Sequence, residues 1–213
     1  MNENITDFLM LDSGSYFGKA RVNDSKIQDD FTFIDTYDLP NIDLKPYKCL
    51  VIQGLIDQKF LFKHKDIIRE FLDDKKILVF SGNLYLDWLP GGSSFIPKTI
   101  HNYKDYEVSV DHYHPIFAGV EEDDMTYNKG VSGFFARGHH PIPEGAEVLL
   151  RLPGGEPITY IDRNSTKGTI LVHVGNDLFG SMNARGTKKR IGPQLMQWVR
   201  DEYSKLQDRG EMG

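Results

Sequence analysis

Residues 47 to 83 constrain the fold more than any other stretch, because they read as a buried strand, a crossover helix and a second buried strand ending in a sharp polar turn. Lys48-Cys49-Leu50-Val51-Ile52-Gln53 is a short apolar run closed by Gly54, and Lys76-Ile77-Leu78-Val79-Phe80 is another, closed by Ser81-Gly82. Both runs are too short and too rich in branched side chains for helices. Between them Phe60, Leu61, Ile67, Ile68, Phe71 and Leu72 recur with helical spacing, which predicts a helix over 60–73. A strand, helix and strand of this length make a right-handed parallel βαβ unit. Open parallel sheets bind ligands outside the carboxyl ends of their strands, so the loops beginning at Gly54 and Ser81 are the expected place for chemistry.

With 213 residues, 39% of them hydrophobic, the chain can bury one sizeable core, and no Pro/Gly/Ser-rich linker divides it. Residues 1–213 therefore read as a single α/β domain. The balance of 25 basic against 31 acidic residues gives a net charge of −6, which opposes attraction to phosphate backbones and anionic membranes. Neither nucleic acid nor a membrane is an expected partner. No apolar run approaches the ~20 residues that span a bilayer, and Met1-Asn2-Glu3-Asn4 lacks the basic start of a signal peptide. One cysteine excludes an intramolecular disulfide and fits a reducing compartment, the cytoplasm.

Further strands are expected at residues 6–11, ahead of the small polar loop Asp12-Ser13-Gly14-Ser15, and at 31–35, with an indistinct connection between them. Residues 84–145 form a loop-rich insertion crowded with aromatic, Gly and Pro residues and carrying a short strand near 106–110. Its aromatics are too numerous for a simple loop, so most should pack as a satellite core while some form an exposed patch. A hairpin follows over 147–152 and 157–161, turning at Pro153-Gly154-Gly155-Glu156. The last strand is 169–174, and a helix over 189–206 presents Ile191, Leu195, Trp198, Val199 and Tyr203 on one face, with Pro193 tolerated in its first turn.

This order of elements resembles the class I glutamine amidotransferase-like superfamily, and within it the ThuA-like branch. The residues that carry the likeness are Val51-Ile52-Gln53-Gly54 with Asp57 soon after, Ile77-Leu78-Val79-Phe80-Ser81-Gly82, His114-Pro115-Ile116-Phe117-Ala118-Gly119, Glu144-Gly145-Ala146-Glu147-Val148-Leu149-Leu150, and Gly168-Thr169-Ile170-Leu171-Val172-His173-Val174-Gly175-Asn176-Asp177. Together they span roughly residues 47–200, in the order the superfamily has them. The resemblance implies a flavodoxin-like three-layer α/β sandwich with a mainly parallel sheet. It also implies, in catalytic members, a cysteine on the elbow after the strand equivalent to 77–80 and a histidine with an acidic partner after the last strand, because a thiolate needs a base within reach and an orienting group behind it. Here the elbow holds Ser81-Gly82-Asn83 and the late loop Gly175-Asn176-Asp177. Cys49 falls inside a central strand, where a small buried core residue is the ordinary reading.

Glutaminase chemistry is therefore not expected, and no catalytic residue is assigned. Ser81 lacks the Gly-x-Ser-x-Gly surroundings of a serine hydrolase and reads as a cap or tight turn. His112 and His114 alternate beside Asp111, but no third ligand has recognisable spacing, so neither a metal nor a cofactor is assigned. His173 reads as a core histidine. The Arg137-Gly138-His139-His140 cluster, after a glycine-rich stretch, concentrates donors that suit an anionic or sugar-like ligand. The candidate ligand-binding set is Asp57, Ser81, Asn83, Arg137, His139, His140, Asn176 and Asp177. The expectation is a non-catalytic amidotransferase-like domain that binds a small polar or anionic ligand or a protein partner. A ThuA-like enzyme acting on a carbohydrate-like substrate, and an assembly subunit, for example a homo-oligomer, are the alternatives.

Overall fold

A computed structural model of the chain describes residues 6–211. Its strands are β1 Phe8–Asp12, β2 Phe31–Asp35, β3 Cys49–Gln53, β4 Ile77–Ser81, β5 Ile96–Pro97, β6 Ser109–Val110, β7 Gly138–His139, β8 Glu147–Arg151, β9 Pro157–Asp162 and β10 Thr169–His173. Its α-helices are α1 Tyr16–Val22, α2 Gln58–Lys63, α3 Lys65–Asp73, α4 Glu122–Thr126 and α5 Ile191–Glu211. Eight strands form one sheet in the order β2-β1-β3-β4-β10-β9-β8-β6, and β5 pairs with β7 in a small separate ribbon. From β2 through β10 every neighbour is parallel, whereas β9, β8 and β6 continue the sheet antiparallel.

Alternation along the strands sends successive side chains to opposite faces, and both faces are covered. Met10, Val51, Val79 and Leu171 pack on one side with Leu195 and Val199 of α5. Leu9, Ile52, Leu78, Phe80 and Val172 pack on the other with Ile68 and Leu72 of α3. This double burial is why the central strands are continuous apolar runs rather than alternating ones. The result is a three-layer α/β sandwich with a mainly parallel sheet.

Several boundaries differ from the sequence reading, each for a local reason. The first strand begins at Phe8 and runs to Asp12 rather than over 6–11, and the indistinct connection after it contains α1, capped by Ser15, whose side chain accepts from Gly18 N. The single helix expected over 60–73 is two, because His64 leaves helical geometry at φ −112° and ψ 21°. Its ring packs 4.4 Å from that of Phe60. The stretch 106–110 yields only the two-residue β6, since Tyr103–Tyr106 closes into a 3-10 turn under an Asn102/Asp105 capping box. A second 3-10 turn, Gly186–Arg190, leads into α5, which starts two residues later than expected and runs on to Glu211. The β8–β9 hairpin turns through Gly154 and Gly155, whose φ values of +101° and +92° suit glycine alone. Among the described residues no helix is long and apolar enough to cross a membrane.

Cys49 lies at the start of β3 with no exposed surface, and burial pushes its thiol well above the ordinary cysteine range. A thiol reagent is therefore expected to leave the native protein unmodified and to react only as the chain unfolds. Labelling followed by absorbance in native buffer and in denaturant checks this, and rapid stoichiometric reaction in native buffer would show that β3 is not a central buried strand.

Candidate binding surface at the carboxyl end of the sheet

At the carboxyl edge four polar residues stand in one register row: Gln53 opposite Ser81, Ser81 opposite His173, and His173 opposite Thr159. Register partners share a face, here the one covered by α5. All four are buried. Gly82 N donates to His173 O at 2.9 Å, and a side chain at Gly82 would meet Gly54 Cα at 2.7 Å. Gly82 also has φ +150°. The backbones after β3 and β4 thus touch, and only glycine permits that approach.

Asp177 completes the closure. Gln53 Nε2 donates to its Oδ2 at 3.3 Å and to Met10 Sδ at 2.9 Å. Arg21 Nε reaches the same Asp177 oxygen at 2.9 Å, and Arg21 also pairs with Asp24 at 2.8 Å. Phe179 N and Gly180 N each donate to the Asp177 carboxyl at 3.1 Å. Burial pushes the Asp177 carboxyl up, while Arg21 and the two amides act in the opposite sense. A carboxylate held on so many sides organises the loop rather than waiting for a ligand.

The two histidines nearest this edge are packed, not presented. His173 Nδ1 lies 2.8 Å from Thr159 Oγ1 and its ring 4.7 Å from that of Phe135; burial pushes its pKa down to about 3. His140 accepts from Leu84 N at 3.0 Å through Nε2, which places its proton on Nδ1. It sits against Phe80 and Phe95, and burial lowers its pKa to about 4. His139 is half-buried in β7, opposite Ile96.

Residues 134–140 run across the ends of β10 and β4, since Phe134 O accepts Asn176 Nδ2 at 3.0 Å, Phe135 packs on His173, and His140 packs on Phe80. Arg137 is exposed in this crossing, its Nε donating to Gly133 O at 2.7 Å and its carbonyl accepting from Lys98 N. Of the sequence-selected residues, the structure therefore brings Ser81, His140, Asn176 and Asp177 to the sheet end, all of them buried or tied, Asn176 through its Nδ2 bond to Phe134 O. Asn176 is exposed.

Asp57 and Asn83 belong to a second group that is open to solvent. Asp57 caps α2 by accepting from Lys59 N and Phe60 N, and the amide of Phe60 leads in holding its carboxyl below the usual range. Tyr37 OH donates to Asp57 at 3.2 Å, and the Tyr37 ring meets Phe60 edge-on at 4.9 Å. Gln58 stitches the loop after β4 to α2: its Oε1 accepts from Tyr85 N at 2.8 Å and Trp88 Nε1 at 3.2 Å, and its Nε2 donates to Asn83 O at 2.7 Å. On this scaffold Tyr37, Leu55 and Tyr85 are 58%, 71% and 64% exposed. Leu55 does so at φ +63°, a left-handed conformation that costs a non-glycine residue about 1–2 kcal/mol.

Sequence reasoning missed Tyr37, Leu55, Gln58 and Arg21, whereas Tyr85 belongs to the insertion aromatics of which some were expected to form an exposed patch, and it is exposed. A large apolar residue in the short polar loop Gly54-Leu55-Ile56-Asp57 was the available signal for Leu55; the Arg21–Asp177 pair spans too much sequence to leave one. His112 and His114 do not converge. His112 pairs with Glu147 at 2.9 Å, which raises its pKa, while His114 caps a 3-10 turn and meets Trp198 edge-on. Among the described residues no group of three or more His, Cys, Asp or Glu side chains is placed to hold a metal.

No family model matches the sequence, and no curated protein matches it. Solved structures do match by shape. A cytoplasmic protein from Salmonella typhimurium superposes with a TM-score of 0.57 at 10% identity, covering 90% of this chain and 97% of its own. A glutamine amidotransferase from Thermotoga maritima gives 0.50 at 12% identity, covering 98% of this chain and 86% of its own. The fold is amidotransferase-like. A beta-galactosidase from Rahnella sp. R3 also gives 0.50 at 10% identity over 92% of this chain, which spans 31% of that enzyme.

The buried histidines set an acid limit on this region. Unfolded histidine titrates near 6.5, whereas His140 and His173 stay neutral down to about 4 and about 3. Above the unfolded value neither state gains a proton; below it the unfolded chain does and the folded chain does not, so stability falls as pH drops, by up to about 1.4 kcal/mol per pH unit for each histidine. In urea unfolding between pH 6 and 4.5, His173→Asn is expected to flatten this slope by about one proton. An unchanged slope would mean that His173 is solvated.

Proposed function

We propose that this chain is a non-catalytic amidotransferase-like domain that acts in the cytoplasm by docking a protein partner on the carboxyl-end surface bounded by Tyr37, Leu55 and Tyr85. The observation that carries the reading is Leu55, an apolar side chain 71% exposed and held in left-handed backbone beside a closed floor. Left-handed backbone at a solvent-facing apolar residue costs stability without burying that residue, and such outliers concentrate at ligand clamps and switch regions. Tyrosines flanking an apolar residue are the composition of an interface centre. The two groups that a nucleophilic mechanism would need to expose, the Ser81 hydroxyl and the Cys49 thiol, are 2% and 0% exposed.

A photo-crosslinking amino acid placed at position 85 in cells of the source organism is expected to give a discrete adduct with another protein, and Leu55→Gly is expected to diminish it. The same substitution relieves the left-handed strain but adds unfolded-chain freedom, so native stability is expected to rise by about 0.5–1 kcal/mol. Stability and binding then move in opposite directions. A self-adduct would instead place the surface between copies of this chain. Saccharide-induced shifts of the Tyr37 and Tyr85 resonances, with no protein adduct, would favour the carbohydrate-like ligand.

A further inference from the structure

His112 and His114 lie in the segment that closes one edge of the sheet, and the two rings are held in opposite states. β6 is the outermost strand there and contributes only Ser109 and Val110, paired with Arg151 and Leu150 of β8. The chain leaves it through Asp111, whose N–H donates to Leu149 O at 2.9 Å, and passes directly into His112. His114 is buried against Trp198, and burial lowers its pKa. His112 is exposed and stands between two carboxylates, its Nε2 2.9 Å from Glu147 Oε1 and its Nδ1 3.6 Å from Asp111 Oδ2.

A neutral imidazole carries one N–H and turns a lone pair toward one of these carboxylates, whereas the imidazolium offers a proton to both. The charges behind them act in the same sense. Asp111 also takes Arg151 Nε, and Arg151 Nη1 donates to Gly155 O at 2.8 Å. Glu147 takes Arg163 Nη1 at 2.7 Å, and Arg163 Nε reaches Glu202 of α5 at 2.5 Å, where Thr169 of β10 also donates. This chain of contacts holds three carboxylates and two guanidinium groups, so it is neutral only when His112 carries a proton. From α4, Glu122 Oε1 accepts Val110 N at 2.7 Å and brings a further carboxylate to β6.

We propose that His112 is a pH-operated clasp on this edge: its imidazolium pins the segment after β6 to Glu147 of β8, and loss of the proton lets β6 part from β8. An opened edge is a row of unpaired backbone groups ready to accept another strand. The Glu147 bond leads in raising the His112 pKa, burial opposes it, and Asp111 adds to it. With the folded value above the unfolded ~6.5, the contribution of the clasp is complete below the unfolded value and disappears as pH rises through the folded one. His114, His140 and His173, whose values are lowered, exert their effect below ~6.5 instead.

Histidine NMR on the full chain locates the His112 midpoint, and hydrogen exchange of the Asp111 amide, corrected for its intrinsic rate, reports the state of the edge. Between pH 5.5 and 9, Asp111 protection is expected to fall by about tenfold for each pH unit that separates the midpoint from ~6.5, while protection of Ile170 in β10 stays constant. His112→Gln, an exposed change that does not endanger folding, is expected to remove the pH dependence. Glu147→Gln is expected to lower the midpoint and to shrink the fall in step with it. A midpoint at or below ~6.5, Asp111 protection that stays constant while His112 titrates, or an unchanged pH dependence in His112→Gln would each overturn the proposal.

Discussion

Asp177 is the group on which the carboxyl end of the sheet depends. It follows the last parallel strand, yet it reaches the end of β3 through Gln53, the helix α1 through Arg21, and the amides of the turn that follows it. Desolvating a carboxylate is expensive, and the cost is met only because a guanidinium and two N–H groups converge on it. Removing one partner of such a pair typically costs about 3–5 kcal/mol, far more than the exposed pairs elsewhere on this surface contribute. The loops after β1, β3 and β10 are therefore one mechanical unit.

That unit determines what the surface offers. With Gly54 and Gly82 in backbone contact and Gln53, Ser81, His173 and Thr159 buried in a row, polar groups that sequence places at the sheet end are enclosed in the fold rather than presented to solvent. The neighbouring loops are held differently. Gln58 fastens the stretch after β4 by its side chain, and Asp57 fixes the start of α2, so Tyr37, Leu55 and Tyr85 stand on rigid supports while remaining exposed. Rigid aromatic anchors lose little conformational entropy on binding, which is the property a docking surface needs.

The central sheet was legible because double burial writes itself as unbroken apolar runs, and β3, β4 and β10 stand within a residue of where those runs predict them. The helix break at His64 was not, since the apolar spacing of Phe60, Leu61, Ile67 and Ile68 continues across it and only the backbone changes. The site was read less well than the fold. Chemistry-bearing residue types such as His140, Ser81 and Asp177 attract attention in sequence, but whether they are exposed depends on long-range packing against Phe80, the Gly54 loop and Arg21, which no local pattern encodes. The exposed residue Leu55 looks like core in composition and was overlooked for that reason, whereas the exposed Tyr85 falls in the aromatic stretch from which a surface patch was expected.

Native-state hydrogen exchange at Gly82 and Gly180 tests the closed carboxyl end most directly, because Gly82 N–H is bonded to His173 O and Gly180 N–H to Asp177. If the sheet end is a sealed unit carrying its binding residues on the rim, both amides exchange only with an opening free energy close to that of global unfolding. Exchange near unfolded-chain rates at either glycine would show that the crevice opens in the native state, and the closed-floor account would be wrong.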